Sequence, residues 1–322
     1  MVPRPEQGLV VVTGATGFVG RHLVPALAAA GWRVRAALRR PAPVPGAHER
    51  VVVGEVGPRT DWGPALEGAA AVVHLAGLAA APRGRAGEAR CRAVNALGTE
   101  RLAGEAGRAG VACLVFLSTV KVHGETSGGP LREDAPVRPE GPYALSKWEA
   151  EERLRAAAPS GLRTVVLRPP LVYGPGVKGA FRALLAAVAR GVPLPLATVR
   201  NRRSLVAAAN LAEAVRRCLE RSEAAGPYLV GDGRPWSTPE LVERLAGGMG
   251  RRARLFPCAP GLLRKLLRGA GLGGVASALL DDLEVDDTRL RRELGWRPVV
   301  ESGRALVETG AWYREARRRS SS

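Results

Sequence analysis

A chain of 322 residues that is 46% hydrophobic and 24% charged holds enough apolar material for a sizeable core and too few charges for a disordered polymer. No apolar run reaches the roughly 18 residues of a membrane span, and Met1 to Gln7 shows no basic-then-apolar signal pattern, so a cytoplasmic protein of one large or two intimate domains is expected. The net charge of +18 would ordinarily raise nucleic acid as a partner, but only Lys121, Lys147, Lys178 and Lys265 are lysines among 48 basic residues. Isoleucine is absent and Phe, Tyr, Asn and Met are scarce, while Arg, Ala, Gly and Pro are inflated. A GC-rich coding sequence produces that pattern. The charge therefore reads as compositional drift, the arginines are dispersed, and no nucleic-acid partner is expected. Cys91, Cys113, Cys218 and Cys258 are scattered and read as small buried hydrophobes, with neither a disulfide framework nor a metal site.

The first half alternates short apolar runs with helix-like stretches. Leu9 to Thr13, Val34 to Leu38, Val51 to Val53, Ala71 to Leu75, Leu114 to Leu117 and Thr164 to Arg168 read as strands buried on both faces of a parallel sheet. Between them lie helices predicted over Val19 to Ala30 and Arg92 to Ala109, ended by Gly31 and Gly110, and from Tyr143 to Ala158. Repeated β-α-β units predict an α/β protein with a Rossmann-type doubly wound parallel sheet over residues 1–168. From Pro169 and Pro170 onward prolines punctuate the chain and the rhythm changes. A smaller C-terminal substrate domain is expected over residues 169–322. One helix within residues 205–224 is expected to pack back on the first domain. Arg317 to Ser322 reads as a frayed tail.

The first strand runs into Thr13-Gly14-Ala15-Thr16-Gly17-Phe18-Val19-Gly20 and then a helix. This is Gly-x-x-Gly-x-x-Gly in the context of a dinucleotide site: Gly14 for the tight turn, Gly17 for close approach of a pyrophosphate, Gly20 for helix packing on the strand. The second strand ends in Arg39-Arg40 without an acid, so the cofactor is NAD or NADP, with NADP(H) favoured. Tyr143-Ala-Leu-Ser-Lys147 opens the third helix and places a phenol and an ammonium on one face. With four Tyr and four Lys in the chain, such a pair arises by chance in roughly one sequence in twenty. A nearby cation favours the phenolate, so Tyr143 can exchange a proton with a substrate oxygen while hydride passes to or from a nicotinamide.

With the glycine loop, this pair resembles the extended short-chain dehydrogenase/reductase family, nearest the NAD-dependent nucleotide-sugar epimerases and dehydratases. The resemblance covers nearly the whole chain and includes His74-Leu-Ala-Gly77, Asn95, Phe116 to Gly124, Arg168 to Gly176, Arg203-Ser-Leu-Val and Glu293 to Pro298. It implies Thr119 as the third catalytic residue beside Tyr143 and Lys147. It implies a cofactor held by Gly14, Gly17, Phe18, Val19, Gly20, Arg39, Glu55 near the adenine, Ala76, Asn95, Tyr143 and Lys147. Substrate contacts would come from Ser118, Thr119, Tyr173, Lys178 and Arg203, with Arg203 gripping a nucleotide diphosphate. His74 reads as a buried structural histidine. Ala180, Ala79 and the absence of arginine between Gly269 and Glu284 depart from the family's pocket pattern.

The implied activity is a UDP-hexose 4-epimerase, with a homodimer expected. The alternative is an NAD(P)H-dependent 4-ketoreductase of a UDP-4-keto-6-deoxy sugar in polysaccharide synthesis. Further alternatives are a non-sugar alcohol dehydrogenase and an NADP-sensing regulator, whose members usually lose the Tyr/Lys pair.

Overall fold

The computed structural model describes residues 8–79 and 84–319; the N-terminal segment and the serine tail of the sequence reading lie outside the described residues. The first elements are β1 (Leu9–Thr13), α1 (Phe18–Ala29), β2 (Arg33–Leu38), β3 (Glu49–Val52), α2 (Gly63–Leu66), β4 (Ala71–His74), α3 (Arg85–Arg92), α4 (Gly98–Arg108) and β5 (Cys113–Leu117). Then come β6 (Pro130–Leu131), α5 (Gly141–Ala157), β7 (Arg163–Arg168), β8 (Leu171–Tyr173), α6 (Gly179–Arg190), β9 (Leu205–Ala207), α7 (Ala208–Glu220) and β10 (Gly226–Leu229). The last are α8 (Thr238–Gly248), α9 (Pro260–Gly269), α10 (Gly273–Leu280), β11 (Glu284–Val285), α11 (Thr288–Leu294) and α12 (Ser302–Arg319).

Seven parallel strands form the sheet in the order β10-β7-β5-β4-β1-β2-β3. β4 stands at its centre with β1 beside it, and all five residues of β1 are buried, as a strand covered on both faces requires. Val10 and Val12 face the layer in which α1 and α7 bury Leu23, Leu27, Leu211 and Val215. Val11 faces the opposite layer, where α2, α4 and α5 bury Leu66, Leu102, Ala106 and Leu154. Period-two alternation of one strand thus feeds two cores. Each fully buried Leu or Val contributes about 1.5–3 kcal/mol.

The edge strand β10 is drawn from beyond residue 169, where the sequence rhythm changes; four residues reading Gly-Pro-Tyr-Leu give too short a pattern to announce a strand. A separate core unites Tyr173, Phe181, Leu185, Leu245 and Leu306 from β8, α6, α8 and α12 with Trp236 and Met249, which flank α8. The helix predicted from Arg92 to Ala109 is interrupted. α3 and α4 are joined through a π-helical turn, Ala93–Leu97, centred on Asn95. Such turns widen a helix by one residue and are frequent at functional sites.

Candidate active site

The site is a cleft of about 1010 Å³ at the C-terminal ends of β1, β4, β5 and β7, where a doubly wound sheet places its ligands. Its floor is the glycine loop. Gly14 has φ +67°, and a Cβ there would sit 2.8 Å from the Ala76 amide nitrogen; one on Gly20 would sit 2.5 Å from the Gly14 carbonyl oxygen. Glycine is therefore required at both, once for conformation and close approach and once for contact. The helix that follows has no side-chain cap at Gly17 and no acid in its first turn. Gly17, Phe18, Val19 and Gly20 line the cleft, so the uncapped amides and the positive end of the helix dipole are available to an anion. His22 Nε2 to the Pro175 carbonyl, 2.8 Å, ties this helix to the loop after β8.

The neighbouring strand end is braced by a buried chain of hydrogen bonds. Thr13 Oγ1 accepts from the Ala76 amide at 3.0 Å and meets His74 Nδ1 at 2.7 Å. His74 Nε2 meets Thr99 Oγ1 at 3.1 Å, and Thr99 donates to the Asn95 carbonyl. Complete burial, with the Lys147 charge, holds the His74 imidazole down at about 3. It is neutral and structural. Ala76 takes part through its backbone.

Tyr143, Lys147 and Thr119 all line the cleft. Tyr143 and Lys147 are one turn apart in α5, and Thr119 follows β5, where it caps the 3₁₀ turn Val120–His123 by accepting from the Lys121 amide at 3.3 Å. Burial pushes the Tyr143 phenol up to about 12, opposed by a hydrogen bond with the Thr119 side chain. Lys147 Nζ donates to the Leu117 carbonyl at 2.7 Å and lies 4.4 Å from the centre of the Phe116 ring. Burial brings the ammonium down to about 8, with Glu151 pulling the other way. In this geometry the lowering influence on the phenol comes from Thr119, while Lys147 donates to the Leu117 carbonyl.

Several expected contacts have other employment. Ser118 borders the cleft, but its hydroxyl donates inward to Glu151 through a short hydrogen bond, rather than to a substrate. Glu151 also takes Arg168 at 2.6 Å, with both side chains almost wholly buried. Glu151 was absent from the sequence reading, although it stands four residues after Lys147 as Lys147 does after Tyr143. Asn95, expected at the cofactor, uses its whole carboxamide on protein: Oδ1 accepts from the Leu78 amide at 2.8 Å, while Nδ2 donates to the Leu78 carbonyl and to Ser146 Oγ. Since Ser146 Oγ donates to the Tyr143 carbonyl at 2.8 Å, Asn95 clamps the loop after β4 onto α5 and acts as a positioning residue.

Tyr173, expected at the sugar, is wholly buried, and its hydroxyl donates to Asp232 at 2.8 Å and to the Ser302 carbonyl. Lys178 is exposed at the N-cap of α6, outside the cleft lining. Glu55 is bound by Arg90 at 2.6 Å, with Arg39 close enough to lower its carboxyl further; neither Glu55 nor Arg39 lines the cleft. Arg203 does line it, and its Nη1 donates to the Ser277 and Asp281 carbonyls at 3.2 and 2.9 Å. The remaining wall, Arg268, Gly273, Gly274 and Ser277, comes from α9 and α10 and carries no motif visible in sequence.

Residues 10–231 match the NAD dependent epimerase/dehydratase family model. The chain is 33% identical over 320 residues to a UDP-glucose 4-epimerase of Vibrio cholerae, covering 96% of this chain and 97% of the relative. It is 31% identical over 251 residues to the GDP-6-deoxy-D-mannose reductase of Pseudomonas aeruginosa, covering 73% and 78%. The structure of MoeE5 in complex with UDP-glucose and NAD superposes with a TM-score of 0.78 at 27% identity, covering 98% of this chain and 100% of that one. On its sequence, its seven-stranded parallel sheet and its glycine-loop cleft, the chain belongs to the NAD dependent epimerase/dehydratase family.

Proposed function

We propose that this chain interconverts the C4 epimers of a UDP-hexose. The observation that carries this reading is the end-to-end similarity to the Vibrio cholerae UDP-glucose 4-epimerase, together with the convergence of Tyr143, Thr119 and Lys147 in one cleft. The cleft fits a nicotinamide dinucleotide: an uncapped helix start faces it, Gly14 and Gly20 let the loop fold tightly against its own backbone, and Gly17 presents no side chain where a pyrophosphate would approach. When bound, that cofactor supplies a hydride acceptor and donor. Tyr143 moves the proton at the C4 oxygen, and the Thr119 hydroxyl holds the same oxygen in line. Lys147 supplies positive charge one turn from the phenol, which favours its ionised form. Arg203, at the α10 wall, offers a guanidinium to a diphosphate.

A second reading is a nucleotide-sugar 4-ketoreductase. It is favoured by the acid-free end of β2 at Arg39-Arg40 and by similarity to the Pseudomonas aeruginosa reductase. One experiment separates them: identify the nucleotide that survives purification by mass spectrometry, then add UDP-glucose without cofactor. Retained NAD and appearance of UDP-galactose support the epimerase. A nucleotide-free protein that converts no UDP-glucose but oxidises NADPH in the presence of a UDP-4-keto sugar supports the reductase.

A further inference from the structure

Five of the eleven exposed large hydrophobic side chains among the described residues fall in one stretch of twenty: Phe256, Leu262, Leu266, Leu272 and Val275. This stretch includes α9 and the start of α10, which pack on one another. In α9 the buried Leu263 and partly buried Leu267 face the protein core, four residues apart. Leu262 and Leu266 repeat that spacing one position earlier and stand 54% and 61% exposed. The apolar stripe of α9 is thus about twice as wide as the surface that covers it.

The charges carried by α9 itself, Arg264, Lys265 and Arg268, are of one sign, and the acids Asp281 and Asp282 begin directly after α10. Residues 251–280 contain Arg251, Arg252, Arg254, Arg264, Lys265 and Arg268 and no carboxylate. Arg264 pairs with Asp281, while Lys265 and Arg268 stand exposed on the flank of the leucine stripe. Leucine on one side of a short helix with lysine and arginine on the other, as in α9, is the composition of a segment that lies in a membrane interface. A second copy of the same face would bring these cations together. An anionic lipid surface neutralises them while burying the leucines.

We propose that α9 and α10 dock this protein onto an anionic bilayer surface, lying in the headgroup region without crossing it. Among the described residues no helix is long and apolar enough to span a membrane. Arg268, Gly273 and Ser277 of the same helix pair border the cleft, so docking sets the mouth of the cleft at headgroup level. The proposal holds whichever reaction the cleft performs.

Flotation of the full chain with phosphatidylcholine vesicles, with and without about one third phosphatidylglycerol, tests it. The expected result is binding to the anionic vesicles only, weakened at least about tenfold by Leu262→Glu with Leu266→Glu. Because both side chains are exposed, that variant keeps the wild-type melting temperature and activity in solution. An Arg252→Glu, Lys265→Glu variant should also lose binding. Failure of the wild type to float with anionic vesicles overturns the proposal. So does binding that the leucine substitutions leave unchanged, which would reduce it to attraction by net charge. Self-association without lipid that the leucine substitutions abolish overturns it in favour of a second copy on this face.

Discussion

The Lys147 ammonium donates to the Leu117 carbonyl at 2.7 Å, tying α5 to the last residue of β5. Its ordinary value of 10.5 is brought down to about 8 by burial. Unfolding releases that constraint, so the unfolded chain binds the proton more tightly between these values. Stability therefore rises as pH climbs from about 8 to 10.5. Lys147→Met should lose this alkaline rise in melting temperature and lower kcat by about 10²-fold or more. Lys147→Arg should not restore turnover, because a planar fork cannot occupy the place of a compact ammonium.

Ser118 and Thr119 are adjacent in sequence and opposite in employment: Ser118 serves the buried Glu151, and Thr119 serves the cleft. Ser118→Ala removes a donor from a buried carboxylate and should cost about 1–3 kcal/mol of stability with kcat/KM nearly unchanged. Thr119→Val should lower kcat, with Thr119→Ser restoring most of it. Urea unfolding and steady-state kinetics on both variants measure the split.

How much of this was legible in the sequence depended on whether the signal was local. The buried strands announced themselves as β-branched runs, and the glycine loop carried its own confirmation in the strand before it and the helix after it. Tyr143 and Lys147 stood out because one helical turn separates two residue types that the composition depletes. The same rarity argument misled at Asn95 and Tyr173. A composition bias spares residues needed for packing as readily as those needed for chemistry, and their partners Leu78, Asp232 and Ser302 lie far enough along the chain that only the fold reveals them. Glutamate is common enough in this chain that its spacing from Lys147 does not single out Glu151. The α10 wall is assembled by tertiary packing, with no spacing to read. The π turn carries Asn95, whose carboxamide is fastened to the Leu78 backbone by bonds that no spacing announces.

Tyr173 offers a direct check on that correction. Its hydroxyl and Asn210 both donate to Asp232, whose carboxyl burial raises. Tyr173→Phe should cost about 1–3 kcal/mol in unfolding free energy, since a buried carboxylate loses a donor. KM for the sugar nucleotide should stay within about twofold, because the ring is sealed from the cleft.

His74 sets an acid limit. Its folded value, about 3, lies below the ordinary 6.5, so the unfolded chain takes up the proton first as pH falls. The stability this group contributes is present above 6.5 and is lost progressively as pH falls from 6.5 toward 3. His74→Gln should be less stable at neutral pH yet flatter across this window, as followed by denaturant unfolding at several pH values.

The central claim is that Tyr143 carries the proton while the glycine loop carries the cofactor, two tasks on separate elements of one cleft. The most direct measurement is Tyr143→Phe examined twice: nicotinamide dinucleotide affinity by calorimetry, and hydride transfer by single-turnover absorbance with the sugar nucleotide. The expected result is a dissociation constant within about threefold of wild type and a hydride-transfer rate lower by about 10³-fold. Hydride transfer near the wild-type rate in this variant would contradict the account.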